Sequence, residues 1–178
     1  MRSVASRRIL WITETAVTTA LLIILQTATR AAGQYVTGSC VNAVLAVATL
    51  TAGVWSGIVV ALLSPFLAFL LGIGPQLLPI VPSIAVGNLV FVALLGLLAG
   101  RRETPLWRTG AAWLAAAVGK SAVLYLLVVK LLCAVLPLKP PQIDLFSVMF
   151  SYPQLVTALI GGGIGLLLAP ALRRAMRR

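Results

Sequence analysis

Long apolar stretches separated by short clusters of Gly, Pro and basic residues run along the whole chain, at roughly 9–29, 40–72, 80–99, 107–133 and 153–172. Runs of this length span roughly 30 Å of hydrocarbon when helical, at about 1.5 Å per residue. The residue-by-residue alternation of a membrane barrel is missing. The second run is too long for one crossing and is expected to break at Ala52-Gly53. The pattern therefore predicts an all-α membrane protein, one bundle over residues 1–178, with helices at 9–29, 39–52, 54–71, 80–99, 107–133 and 153–172. Three longer connections, 30–38, 72–79 and 136–152, carry Pro, Gly and polar residues and are read as loops.

Charge tests the helix count. Five crossings would put the Arg-rich start (Arg2, Arg7, Arg8) and the Arg-rich end (Arg173, Arg174, Arg177, Arg178) on opposite sides. Six crossings bring both termini to the cytoplasm with the connection carrying Arg101, Arg102 and Arg108. Ten arginines then lie inside, while Arg30 and Lys139 lie outside and Lys120 and Lys130 fall within the fifth helix. That distribution obeys the positive-inside rule. The first apolar run is too long for a signal-peptide core and contains Glu14, so it is read as a retained helix. A multi-pass protein of a bacterial plasma membrane is expected.

Composition agrees: 61% of the 178 residues are hydrophobic and 10% charged, against about a quarter charged in soluble domains. A net charge of +11 would suggest nucleic acid in a soluble protein. Here the basic residues mark helix ends and can meet anionic lipid, so membrane lipid is the expected partner and nucleic acid is not. The chain has no His and three acids, Glu14, Glu103 and Asp144. A metal site or a carboxylate pair can hardly be assembled from these, and Ser-His catalysis is excluded. No phosphate-binding loop occurs; Gly161-Gly162-Gly163-Ile164-Gly165 reads as close packing within the last helix. No cofactor and no enzymatic activity are expected. Cys40 and Cys133 read as small apolar side chains.

Polar groups inside membrane helices are costly, so they mark candidate sites. Under this topology the outer half collects Gln34, Tyr35, Asn42, Gln76, Asn88, Tyr125, Lys130, Tyr152 and Gln154, with Lys120 near the middle. Asn88, flanked by apolar residues, is either interhelical glue or a ligand contact. Lys130 can snorkel outward; Lys120 is too deep for that. Against the basic outer residues Arg30, Lys120, Lys130 and Lys139 stands one clear acid, Asp144. A buried lysine is best explained by an anionic companion, so the expected substrate carries a carboxylate or phosphate. In the first helix Ala16 and Ala20, at i and i+4, form a small-residue face. Ala48/Ala52 and Ala111/Ala115 share that spacing, so the pair serves either internal packing or a partner helix.

The length, the six helices, the Ala16/Ala20 pair, and the stretch Ser64-Pro65-Phe66-Leu67-Ala68-Phe69-Leu70-Leu71-Gly72-Ile73-Gly74-Pro75 followed by Ile84-Ala85-Val86-Gly87-Asn88 together resemble the substrate-binding S component of energy-coupling-factor (ECF) vitamin transporters. The resemblance covers nearly the whole chain. It implies capture of a vitamin or precursor in a pocket of outer helix ends and loops. It also implies docking on a membrane T subunit with two ATPase subunits, Ala16 and Ala20 facing the T subunit. Pantothenate fits the anionic expectation; cationic thiamine does not. The rival reading, a self-sufficient secondary transporter or channel, lacks acidic coupling groups beyond Glu14 and shows no matched broken helices. A membrane scaffold is a third reading, separated by the absence of ligand-dependent stabilisation.

Overall fold

The computed structural model describes residues 4–99 and 104–176. Arg2, Arg101, Arg102, Glu103, Arg177 and Arg178 lie outside them. Every element among the described residues is helical. Helix α1 runs Val4–Thr29, and one 3-10 turn, Arg30–Ala32, leads to Gly33. There follow α2 (Gln34–Thr51), α3 (Val54–Leu70), α4 (Ile80–Ala99) and α5 (Leu106–Leu124). A π-helical stretch, Tyr125–Leu132, and a last short turn, α6 (Cys133–Val135), prolong α5 without a break. Helices α7 (Pro140–Met149) and α8 (Tyr152–Met176) complete the chain.

Among the described residues four stretches are long and apolar enough to cross a membrane: Arg8–Ala32, Ile80–Ala99, Leu106–Val135 and Pro140–Ala175. Helix α3 is apolar but shorter. Helix α2 is buried along its second half, with Val44 to Leu50 all buried, because α1, α3, α4 and α8 pack around it. A helix packed on protein rather than lipid does not need the continuous apolar surface of a lipid-facing span. Large apolar side chains such as Ile9, Leu97 and Leu167 instead point outward, as lipid requires.

The turn between α2 and α3 forms where the sequence places Ala52-Gly53. The Ala52 N–H closes the last turn on Ala48 O at 3.0 Å, and Gly53 adopts φ 100°, a left-handed conformation that favours glycine. Helix α8 lies against α2 through its glycines. A Cβ at Gly161 would collide with the Ser39 carbonyl, and one at Gly165 would sit 2.9 Å from Ala43 O. Small residues thus let two backbones touch, as the glycine run predicts.

Two connections are more ordered than the loop reading of the sequence allows. Gln34–Gly38 is the first turn of α2, started by Thr37 N–H bonding Gly33 O at 3.1 Å. Within 136–152, α7 forms because Pro140 and Pro141 supply a preset φ to its first turn. The Lys139 N–H donates to Gln142 Oε1 at 3.0 Å, closing the helix start. Phe146, on α7, and Phe150, just after it, are then buried with Ile80, Leu124 and Val128 in an apolar cluster. A second, larger cluster around Leu45, Phe91, Leu95 and Ala116 fills the rest of the bundle.

Candidate substrate-binding site

A cavity of about 240 Å³ opens at the end of the bundle where α1, α3 and α7 finish and α2, α4 and α8 begin. That volume suits a small solute rather than a polymer or a drug-sized molecule. Arg8, Arg108, Arg173 and Arg174 belong to the opposite end, at the start of α1, the start of α5 and the end of α8. The Arg173 side chain fixes that end by donating to Leu50 O, the last turn of α2, from both Nε and Nη2.

At the cavity floor stands Lys120, on α5 and 3% exposed. Its Nζ donates to Asn42 Oδ1 at 2.6 Å and to Asn88 Oδ1 at 2.7 Å. It also lies 5.8 Å from the centre of the Phe91 ring, within cation–π range. Asn42 is held in turn: its Nδ2 donates to Gly38 O at 2.9 Å and reaches Thr157 Oγ1 at 3.5 Å. Three helices therefore converge on one ammonium. An ammonium has three N–H donors, and the two amide oxygens carry no charge. Among the described residues no Asp or Glu lines the cavity. A cation taken from water without a counterion costs several kcal/mol, so this floor favours an anion.

The walls mix polar and apolar surface. Gln34 Nε2 and Gln154 Nε2 both donate to Met149 O, at 2.6 and 3.1 Å, tying the starts of α2 and α8 to the end of α7. On the opposite wall Gln26 Nε2 reaches Ser64 Oγ at 3.5 Å. Phe69, Val81, Ile84 and Phe150 supply apolar surface between. Arg30 is exposed on the rim, beside the tight turn at Gly72, where a Cβ would lie 3.9 Å from its guanidinium.

Of the residues the sequence singles out, Gln34, Asn42, Asn88 and Lys120 lie on this cavity, as does Gln154. Lys130, Tyr35, Gln76, Tyr125 and Tyr152 do not. Lys130 is exposed with Nζ 5.5 Å from the Tyr125 ring, which is the snorkelling alternative. Its place follows from the π-helical stretch, whose wider turns move residues off the facing stripe of an α-helix. Tyr35, Tyr125 and Tyr152 are exposed on outer helix surfaces. Gln76 is exposed in the α3–α4 connection, where Nε2 reaches Gly74 O at 3.4 Å. Sequence reasoning passed over Gln26 and used Ser64 only as the start of the Ser64–Pro75 stretch, although each is a polar residue inside an apolar run, the same signal that marks Asn88.

Ala16 and Ala20 are both exposed. They line a shallow groove between α1 and α3, with Thr19, Ile23, Val59 and Leu63. Internal packing therefore does not occupy this face.

Among the described residues no group of three His, Cys, Asp or Glu side chains could hold a metal ion. Among the described residues the cavity offers no nucleophile paired with a base. No curated protein and no solved structure matches the chain. The family described as ECF transporter, substrate-specific component, matches residues 11–173. With that match over nearly all of its 178 residues, the chain belongs to the substrate-specific components of ECF transporters.

Proposed function

We propose that this S component captures a small anionic vitamin or vitamin precursor outside a bacterial cell and passes it inward with an energising module. Members of the family are substrate-binding transporter subunits, not enzymes, and associate with T and ATPase subunits. The observation that carries the anion reading is Lys120, buried on the cavity floor between two neutral amide oxygens, with no carboxylate on the wall among the described residues. A carboxylate or phosphate supplies the missing charge and takes the remaining donor.

The proposed topology has six spans and cytoplasmic termini. Arg8, Arg108, Arg173 and Arg174 gather at one end, and Trp11, Trp55 and Trp107 stand exposed at the starts of α1, α3 and α5, the same end. Cations facing the cytoplasm and aromatic side chains at the headgroup level support this orientation. The cavity then opens outward. Ala16 and Ala20 lie ten and six residues before Gln26, about 15 and 9 Å along the axis. Substrate capture leaves that groove free, and its small side chains suit a helix of the T subunit.

Titration calorimetry on the purified chain in lipid nanodiscs tests the reading with pantothenate, biotin, nicotinate, pyridoxal phosphate and thiamine. An anionic member is expected to bind, and Lys120→Met to weaken it at least tenfold, about 1.4 kcal/mol. Binding of thiamine and of no anion overturns it.

A further inference from the structure

The cavity holds one unexplained polar atom. Gln26, in the last turn of α1, is 4% exposed and lies on the cavity wall. Its Nε2 makes a long contact to Ser64 Oγ, 3.5 Å away. Its Oε1 is buried and has no hydrogen-bond partner, the one such side-chain atom among the described residues. A buried acceptor left unpaired bears the full desolvation penalty of that group. Ser64, 2% exposed, lies beside it on the same wall.

The floor and the α1–α3 wall carry opposite demands. Gln26 and Ser64 belong to α1 and α3, which pack together, whereas Lys120 and Asn88 belong to α5 and α4, which form another packed pair. Lys120 lacks an anion and Gln26 Oε1 lacks a donor. Apolar side chains, Phe69 and Ile84 among them, lie on the same cavity. A fatty acid or a simple aromatic carboxylate meets the first demand and leaves the second unanswered.

Resting on the anion reading above, we propose that Gln26 is a second recognition point: its Oε1 accepts a hydrogen bond from a hydroxyl or N–H of the substrate whose anionic group sits at Lys120. The substrate class is then a small carboxylate or phosphate bearing a separate O–H or N–H donor across an apolar middle. Sites built to pair with a substrate hydroxyl or N–H discriminate strongly against analogues lacking it, because the protein group stays unpaired. Gln26 thus acts as a specificity residue that rejects donor-free carboxylates.

Four probes test this. Biotin and pantothenate carry a carboxylate and separate N–H or O–H donors; lipoate and nicotinate carry a carboxylate and no other donor. Biotin and lipoate also share a ring on a five-carbon acid chain, so they differ chiefly in the ureido N–H groups. Calorimetry in nanodiscs is expected to find binding of a donor-bearing probe at least tenfold tighter than of either donor-free one. Gln26→Met should remove that preference by weakening the donor-bearing probe about tenfold, and Lys120→Met should weaken every carboxylate. Equal binding of a donor-free probe, or an unchanged preference in folded Gln26→Met, overturns the proposal. Failure of the anion reading looks different: a ligand without negative charge binds and Lys120→Met has no effect. A readout without ligand completes the test. Because Gln26→Met deletes an unpaired buried atom, the ligand-free variant should melt at or above the wild-type temperature. A lower melting temperature marks Gln26 as a structural hydrogen-bonding group and overturns the proposal, whichever probes bind.

Discussion

Replacing Lys120 by Met separates the two roles a buried lysine can have. The substitution keeps an unbranched side chain of similar length and removes the ammonium. On the folding side, two contacts at 2.6 and 2.7 Å disappear, leaving Asn42 Oδ1 and Asn88 Oδ1 short of a donor at about 1–3 kcal/mol each. Against that loss stands the relief of a buried, uncompensated cation, several kcal/mol in the other direction. The two terms nearly cancel, so the variant should fold, with a stability change within about 2 kcal/mol. Asn88→Leu behaves differently. It keeps the cation and strips one of its two oxygens, a loss of about 3 kcal/mol by analogy with breaking a buried pair. Adding Lys120→Met to Asn88→Leu should then recover stability, a non-additive result expected for groups in one network. Binding loses a hydrogen bond to a charged group, about 1.5–3 kcal/mol, or roughly ten- to 150-fold. Thermal unfolding of the wild type and the three variants in nanodiscs measures the first part and calorimetry the second. Lys120→Met that fails to fold, or a double variant weaker than Asn88→Leu alone, refutes the view of Lys120 as an uncompensated cation.

Other consequences are independent of the charge. Ala16→Trp with Ala20→Trp fills the α1–α3 groove without reaching the cavity. The protein should bind substrate within about twofold of wild type and yet fail to be pulled down with the T subunit; uptake that persists would place the face against lipid. In a background with Cys40 and Cys133 replaced by Ala, a cysteine at Lys139 should react with an impermeant maleimide from outside intact cells. One at Arg108 should react only after permeabilisation, and the reverse pattern contradicts the six-span orientation. Gly161→Val should be destabilised by more than about 3 kcal/mol, beyond ordinary overpacking, because its Cβ meets the Ser39 carbonyl rather than a movable side chain. Melting within a degree of wild type would show that α2 and α8 can move apart.

The helical architecture was legible because lipid imposes long apolar runs, and the α2–α3 break because Gly53 interrupts one. Helix α7 was hidden by its composition. Pro140 and Pro141 read as loop residues, yet at a helix start they are favourable, and the burial of Phe146 depends on partners from α4 and α5. Asn42, Asn88 and Lys120 stood out as polar residues in apolar surroundings, but their convergence comes from three different helices and no local spacing encodes it. Lys130 carried the same signal as Lys120. What separates them is the facing of the rod after Leu124, where the π-helical stretch shifts the register. Gln26 fell within a helix judged mainly by its alanine pair, and only its packing against Ser64 reveals an acceptor left open.

Native mass spectrometry of the chain purified in parallel as wild type and Lys120→Met, from the same cells, addresses the central claim most directly. The account predicts a co-purified small molecule that carries a carboxylate or phosphate, present on the wild type and depleted at least tenfold from the variant. A neutral or cationic molecule, or an anionic one retained equally by Lys120→Met, would contradict it.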